Sequence, residues 1–165
     1  MFQKYLPKST PITIYCAASL FFYSITACNK SEEREKPPAS GVPRAEIEAT
    51  KNGKNRVQIT VTIPPDHHAY LDSGKEGNLL PILFDWKPSL EKKILNATPS
   101  VISAPPGVYD DLTKAKVLRG SGNYLFELLG EGFPDQTEFR VRTQICEEVI
   151  GQCYSPVFQN IKIKG

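Results

Sequence analysis

An all-β sandwich of seven to eight or more strands is the fold this sequence predicts, and three observations predict it. Residues 56–63, Arg-Val-Gln-Ile-Thr-Val-Thr-Ile, alternate polar with β-branched apolar side chains, so one face turns inward and the other meets water. Further short apolar runs at 79–86, 92–97, 124–129, 138–143 and 157–163 are separated by Gly, Pro, Asp and Ser. Nowhere after residue 43 does an apolar pattern of period 3.6 persist long enough to predict an amphipathic helix.

Taken in order, Ala45, Ile47 and Ala49 alternate ahead of the run at 56–63, and Asn52-Gly53-Lys54-Asn55 between them has the chemistry of a hairpin turn. The paired prolines Pro64-Pro65 and Pro105-Pro106 cannot donate to a sheet ladder and mark loops. Residues 116–118 are a candidate for one more short strand. Trp86, the single tryptophan, is expected in or at the rim of the core.

The first 43 residues read differently. Lys4 and Lys8 precede an uncharged run of about 16 residues that ends in Thr26-Ala27-Cys28, the three-part shape of an export signal. The run is short for a helix that must cross a bilayer core needing about 20 residues. Ile25-Thr26-Ala27-Cys28 resembles the lipobox of bacterial lipoproteins, which implies cleavage after residue 27 and lipidation of Cys28; the alternative is an ordinary signal with an incidental cysteine. Residues 28–43 are polar and Pro-rich and are expected to be a tether, leaving 44–165 as one domain. A lipid-anchored protein on the periplasmic side of a membrane follows, and Asn29-Lys30 carries no strong retention signal, which leans toward the outer membrane.

The chain has 20 basic and 18 acidic residues, and removing residues 1–27 takes away only two lysines, so the mature charge is balanced. No basic stripe interleaved with aromatics remains, which argues against nucleic-acid binding. Of the four cysteines, Cys16 leaves with the signal and Cys28 carries lipid, so Cys146 and Cys153 form the one pair free in an oxidising compartment.

Six residues, Glu147-Glu-Val-Ile-Gly-Gln152, separate that pair, with a strand expected on either side. A hairpin can bring the sulfurs together, and two roles stay open. The pair is either a structural disulfide, contributing roughly 2–3 kcal/mol by closing so short a loop, or a redox couple working by thiol–disulfide exchange, which requires no metal or organic cofactor. In the redox case Glu147 and Glu148 oppose a thiolate on Cys146, whereas Gln152 and Tyr154 leave Cys153 neutral surroundings. Cys153 is then the attacking sulfur.

Other chemistries find less support. Asp66, His67 and His68 invite a metal reading, but adjacent side chains on a strand point to opposite faces and the spacing is not that of a zinc site. No Gly-x-Ser-x-Gly elbow and no phosphate-binding glycine loop occurs. The main rival to exchange is a non-catalytic binding or assembly lipoprotein with a structural disulfide.

Three stretches together carry a resemblance: the strand into Pro65-Asp-His-His-Ala-Tyr-Leu71, then Pro106-Gly-Val-Tyr109, then Cys146 through Cys153-Tyr-Ser-Pro156. Over most of residues 57–163 the domain resembles the N-terminal, periplasmic, immunoglobulin-like domain of the thiol–disulfide reductase DsbD. The resemblance implies that the domain passes reducing equivalents to exported thioredoxin-like partners, with Cys153 reacting first and Cys146 resolving. It also implies a cap over the sulfurs, mapping onto Asp110, Asp111 and Leu112, where the acids manage protons and Leu112 stands in place of an aromatic. His68 and Tyr70 take the places of two tyrosines beside the pair, and Tyr154 adjoins it. The full reductase adds a membrane electron conduit and a thioredoxin-like domain, so the expected electron donor is a separate membrane protein.

Overall fold

The computed structural model describes residues 41–130 and 132–164. The expected export signal, the Cys28 expected to carry lipid and most of the expected tether lie outside those residues.

The alternation at 56–63 becomes strand β2 (Arg56–Thr62), paired antiparallel with β1 (Glu46–Lys51) through the expected turn, in which Gly53 has φ of 86°. β2 is central in a four-stranded sheet, order β1-β2-β8-β5, completed by β8 (Ser121–Glu127) and β5 (Ser100–Ser103). Opposite stands a three-stranded sheet of β11 (Val157–Lys162), β9 (Glu138–Thr143) and β4 (Leu83–Asp85). A third sheet has the order β10-β3-β7-β6, built from β10 (Ile145–Glu147), β3 (His67–Tyr70), β7 (Ala115–Leu118) and β6 (Val108–Asp110). The expected all-β sandwich is what forms, with eleven strands among the described residues.

Its core is aromatic where the first two sheets face each other. Phe84 of β4 meets Tyr124 and Phe126 of β8 edge-on, at 4.7 and 5.0 Å between ring centroids. Trp86 packs on Phe126 and Phe139 at 5.3 and 4.5 Å and is 3 % exposed, which places it in the core. Val57, Ile59 and Val61 alternate inward from β2 and are fully buried.

Two expected strands are corrected. Residues 92–97 are not a strand: they follow a short helix, α1 (Lys87–Glu91). Pro88 supplies helical φ at its start, and Lys93, with φ of 55°, ends it as Ile94 and Leu95 donate back to the Ser89 carbonyl. Of residues 79–86 only 83–85 pair. Pro81 interrupts the run, and Ile82 donates to the Tyr70 carbonyl, folding the segment away from a regular ladder.

Ser89 is the polar pin of this region. It is fully buried, its hydroxyl donates to the Glu138 carbonyl at 2.6 Å, and it accepts from the Glu138 N–H at 2.8 Å. Ser89→Ala leaves both backbone groups short of a partner, so a loss of about 1–3 kcal/mol in unfolding free energy is expected, measured by urea denaturation.

Candidate functional site: a disulfide on the outer face of the third sheet

Strand alternation gives the third sheet two different faces. Ala69, Leu118 and Ile145 point into the main core. Their neighbours Tyr70, Val117 and Cys146 point the other way and, with Ala115, make a separate small buried cluster. Leu79, from the loop that the sequence suggested was a strand, packs against this cluster.

Cys146 and Cys153 are joined in a disulfide. The Tyr154 N–H donates to the Ile145 carbonyl at 2.9 Å, and the Glu147 N–H donates to the Gln152 carbonyl at 2.8 Å. Those two bonds bracket the cysteines as a non-hydrogen-bonded antiparallel pair, the position at which opposing Cα atoms come closest, here 3.9 Å. The two ends of the disulfide differ: Cys146 is 1 % exposed, whereas Cys153 is exposed to solvent. The connecting turn carries Val149 and Ile150 outward.

His68 pairs with Cys146 in the register of β3 and β10, so their side chains share a face. Its ring meets Tyr70 edge-on at 5.3 Å, and its Nδ1 lies 3.5 Å from Glu148 Oε1. Glu148 in turn accepts from the guanidinium of Arg119, the residue just past β7. Burial holds the His68 imidazole below its ordinary pKa, against the opposing pull of Glu148. Burial also raises the Tyr70 phenol, helped by the charge of Asp110. Tyr154 donates its hydroxyl to Glu147 at 3.2 Å, which raises its pKa. His67 turns elsewhere, its Nδ1 at 2.7 Å from the Pro65 carbonyl and its ring near Tyr154. The two histidines therefore diverge, as alternation requires.

The expected cap is differently arranged. Asp110 ends β6, and its carboxylate accepts from both the N–H and the hydroxyl of Thr113, which holds its pKa low. That contact closes a tight turn and presents Asp111 and Leu112 outward; Leu112 is 94 % exposed. Leu112 accordingly covers no sulfur, and the apolar contact on the Cys146 cluster comes from Leu79. Gly107 before β6 has φ of 67°, a left-handed conformation that strains any side chain, and a Cβ there would also press on the Val117 carbonyl at 3.1 Å.

Sequence reasoning missed Arg119 and Leu79. Arg119 is 29 residues from Glu148 in sequence, and only the register of three strands brings the two together. Arg119 also revises the electrostatics read from the sequence, because the Glu148 charge faces a guanidinium instead of acting unopposed on Cys146. A cleft of about 730 Å³, lined by Phe84, Trp86, Tyr124 and Phe126 among others, does not include the cysteines. Burial pushes the Tyr124 phenol up to about 12.

No curated protein matches the chain in sequence. Among solved structures, the N-terminal domain of DsbD from Neisseria meningitidis, crystallised in the reduced form, is similar to it at 19 % identity and a TM-score of 0.49, over 73 % of this chain and 85 % of that one. The family model described as thiol:disulfide interchange protein DsbD, N-terminal, matches residues 39–164. With a match across that length, this chain belongs to the DsbD N-terminal family.

Proposed function

We propose that the domain is a thiol–disulfide interchange module on the periplasmic side of a membrane, in which Cys153 exchanges with partners and Cys146 resolves. The observation that carries the reading is the asymmetry of the disulfide, with one end open to solvent and the other buried. An incoming thiolate can reach Cys153 from solvent, and Cys146 is then the leaving sulfur, kept away from competing thiols. A disulfide serving only as a staple has no need of this polarity. Its hairpin is already closed by two backbone hydrogen bonds, and it lies outside the main core.

The partners are exported proteins with thioredoxin-like dithiols, and the electrons enter from a membrane donor of the same exchange chemistry. The exposed Val149 and Ile150 beside Cys153 offer such a partner an apolar contact. Asp110 and Tyr70 belong to the setting of the pair, one as a fixed negative charge and the other as a largely buried phenol. Attachment through a lipidated Cys28 keeps the exchange near one membrane face, with the outer membrane favoured.

Thiol trapping tests the reading. The folded, oxidised chain is mixed with reduced thioredoxin without denaturant, quenched in acid, and labelled with a maleimide reagent. Reduction within seconds to minutes, reversible by oxidised thioredoxin, is expected. A pair that reduces only after unfolding would identify a structural staple.

A further inference from the structure

We infer that His68 is the proton acceptor and donor for Cys146, with Glu148 and Arg119 setting the charge around its ring. The inference rests on the exchange reading above and assigns a role within it.

The register pairs His68 with Cys146, and because the Glu148 N–H donates to the Asp66 carbonyl two positions further on, His68 and Cys146 occupy a hydrogen-bonded pair of the ladder with side chains on one face. Both His68 ring nitrogens are shut off from solvent, and neither has a hydrogen-bond partner among the described residues. At 3.5 Å the Glu148 carboxylate is within ion-pair range of Nδ1 without satisfying it. A buried ring nitrogen left unpaired costs stability, and in the oxidised state the neighbouring sulfur has no proton with which to meet it. Reduction puts an S–H on Cys146. Finally, Cys146 is 1 % exposed, so bulk water is poorly placed to carry its proton.

The groups around His68 leave it as the one suited to the task. Asp110, at the end of β6, is held ionised by Thr113. Tyr70, on the same strand, is pushed above the ordinary phenol range. Glu148, beyond β10, is engaged by the guanidinium of Arg119, beyond β7. An imidazole is the side chain whose protonation changes near neutrality. Burial keeps it neutral at rest, and the nearby Glu148 favours the imidazolium once a proton arrives.

The step balances as follows. Cys153, having lost its proton to solvent, attacks a partner disulfide; that bond breaks, the first partner sulfur leaves as thiolate, and a Cys153–partner mixed disulfide forms. Neutral His68 then takes the Cys146 proton. The Cys146 thiolate attacks Cys153 Sγ, the bond to the partner breaks, and its second sulfur leaves with the other electron pair of the exchange. The module is oxidised by two electrons and the partner disulfide is reduced by two. His68 passes its proton to solvent by way of the partly exposed Glu148 carboxylate, 3.5 Å from Nδ1, and the partner thiolates take up protons from solvent. In the reverse direction the Cys146 leaving thiolate is protonated by His68.

The test separates the two stages, using the full reduced chain, oxidised glutathione as probe, acid quench and intact-mass detection. His68→Phe is expected to leave formation of the Cys153–glutathione adduct within about twofold of wild type. Resolution by Cys146 slows tenfold or more, and the adduct accumulates. Wild-type resolution bends with pH below the ordinary histidine range, and the bend disappears in His68→Phe. Glu148→Gln, which retains the imidazole, moves the bend to lower pH without abolishing it. This second variant carries the test if His68→Phe fails to fold. Unchanged resolution and an unchanged bend in either variant overturn the inference while leaving exchange intact. A wild-type chain that forms no adduct overturns the exchange reading itself.

Discussion

Cys153→Ser is expected to abolish exchange with reduced thioredoxin, and Cys146→Ser to convert the domain into a trap that stops at the mixed disulfide. The two variants lose the same covalent bond, so a staple predicts similar consequences for both. Each loses roughly 2–3 kcal/mol of loop constraint. The exchange chemistry separates them, because the exposed sulfur is the one a partner can reach and the buried sulfur is the one that completes the transfer. Non-reducing gels after incubation of each reduced variant with an oxidised thioredoxin-like protein provide the readout. A dithiothreitol-sensitive adduct is expected with Cys146→Ser and none with Cys153→Ser. Equal adduct in both, or in neither, would contradict the assignment. Cys146→Ser also places a hydroxyl where the cysteine is almost fully buried, so it is expected to be the less stable of the two by a further 1–3 kcal/mol or so.

Trp86→Ala is expected to cost about 3–5 kcal/mol of unfolding free energy, a large share of what a domain of this size possesses. The indole is 3 % exposed and packs on Phe126 from one sheet and Phe139 from the other. Its removal empties space between two sheets that cannot both relax into it. The cysteine pair lies on the outer face of the third sheet, apart from that cluster. Exchange by the fraction that remains folded is therefore expected to keep its rate. Guanidinium melts monitored by circular dichroism, since the fluorescent tryptophan itself is removed, check the first part. Thioredoxin-coupled reduction at low temperature checks the second.

The sequence was most legible where a strand is long and half-buried. Residues 138–143 were predicted as a strand and form β9 with the same bounds, because a six-residue alternation with one face in the core leaves little freedom of interpretation. The hairpin at residues 52–55 was legible for its turn chemistry. The three-residue strands β6 and β10 were not: they are too short for alternation to register above chance and take strand geometry from their neighbours, whereas β4 lay within the longer run predicted at 79–86. Residues 92–97 misled because an apolar pair, Ile94-Leu95, is consistent with either a strand or the end of a helix, and Leu95 is buried in both cases. At the site, the cysteine pair and the adjacent histidine could be named from spacing and resemblance. The partner of Glu148 could not, since Arg119 reaches it only through the pairing of β7, β3 and β10. Nor could the outward turn of Leu112, which depends on the hold of Asp110 on Thr113.

The two-faced third sheet has a consequence for the sequence changes this domain can accept. Ala69 and Ile145 face the core, and His68 and Cys146 face the site, one position away in each strand. Deleting or inserting a single residue within β3 would exchange the two sets, burying an imidazole in the core and leaving an alanine beside the disulfide. A change of two residues keeps the parity. Length variation in these strands is therefore expected to occur in even steps or to be absorbed in the flanking loops, so that the tolerated indel spectrum, obtained by deep scanning of deletions, reads out the chemistry and the packing together.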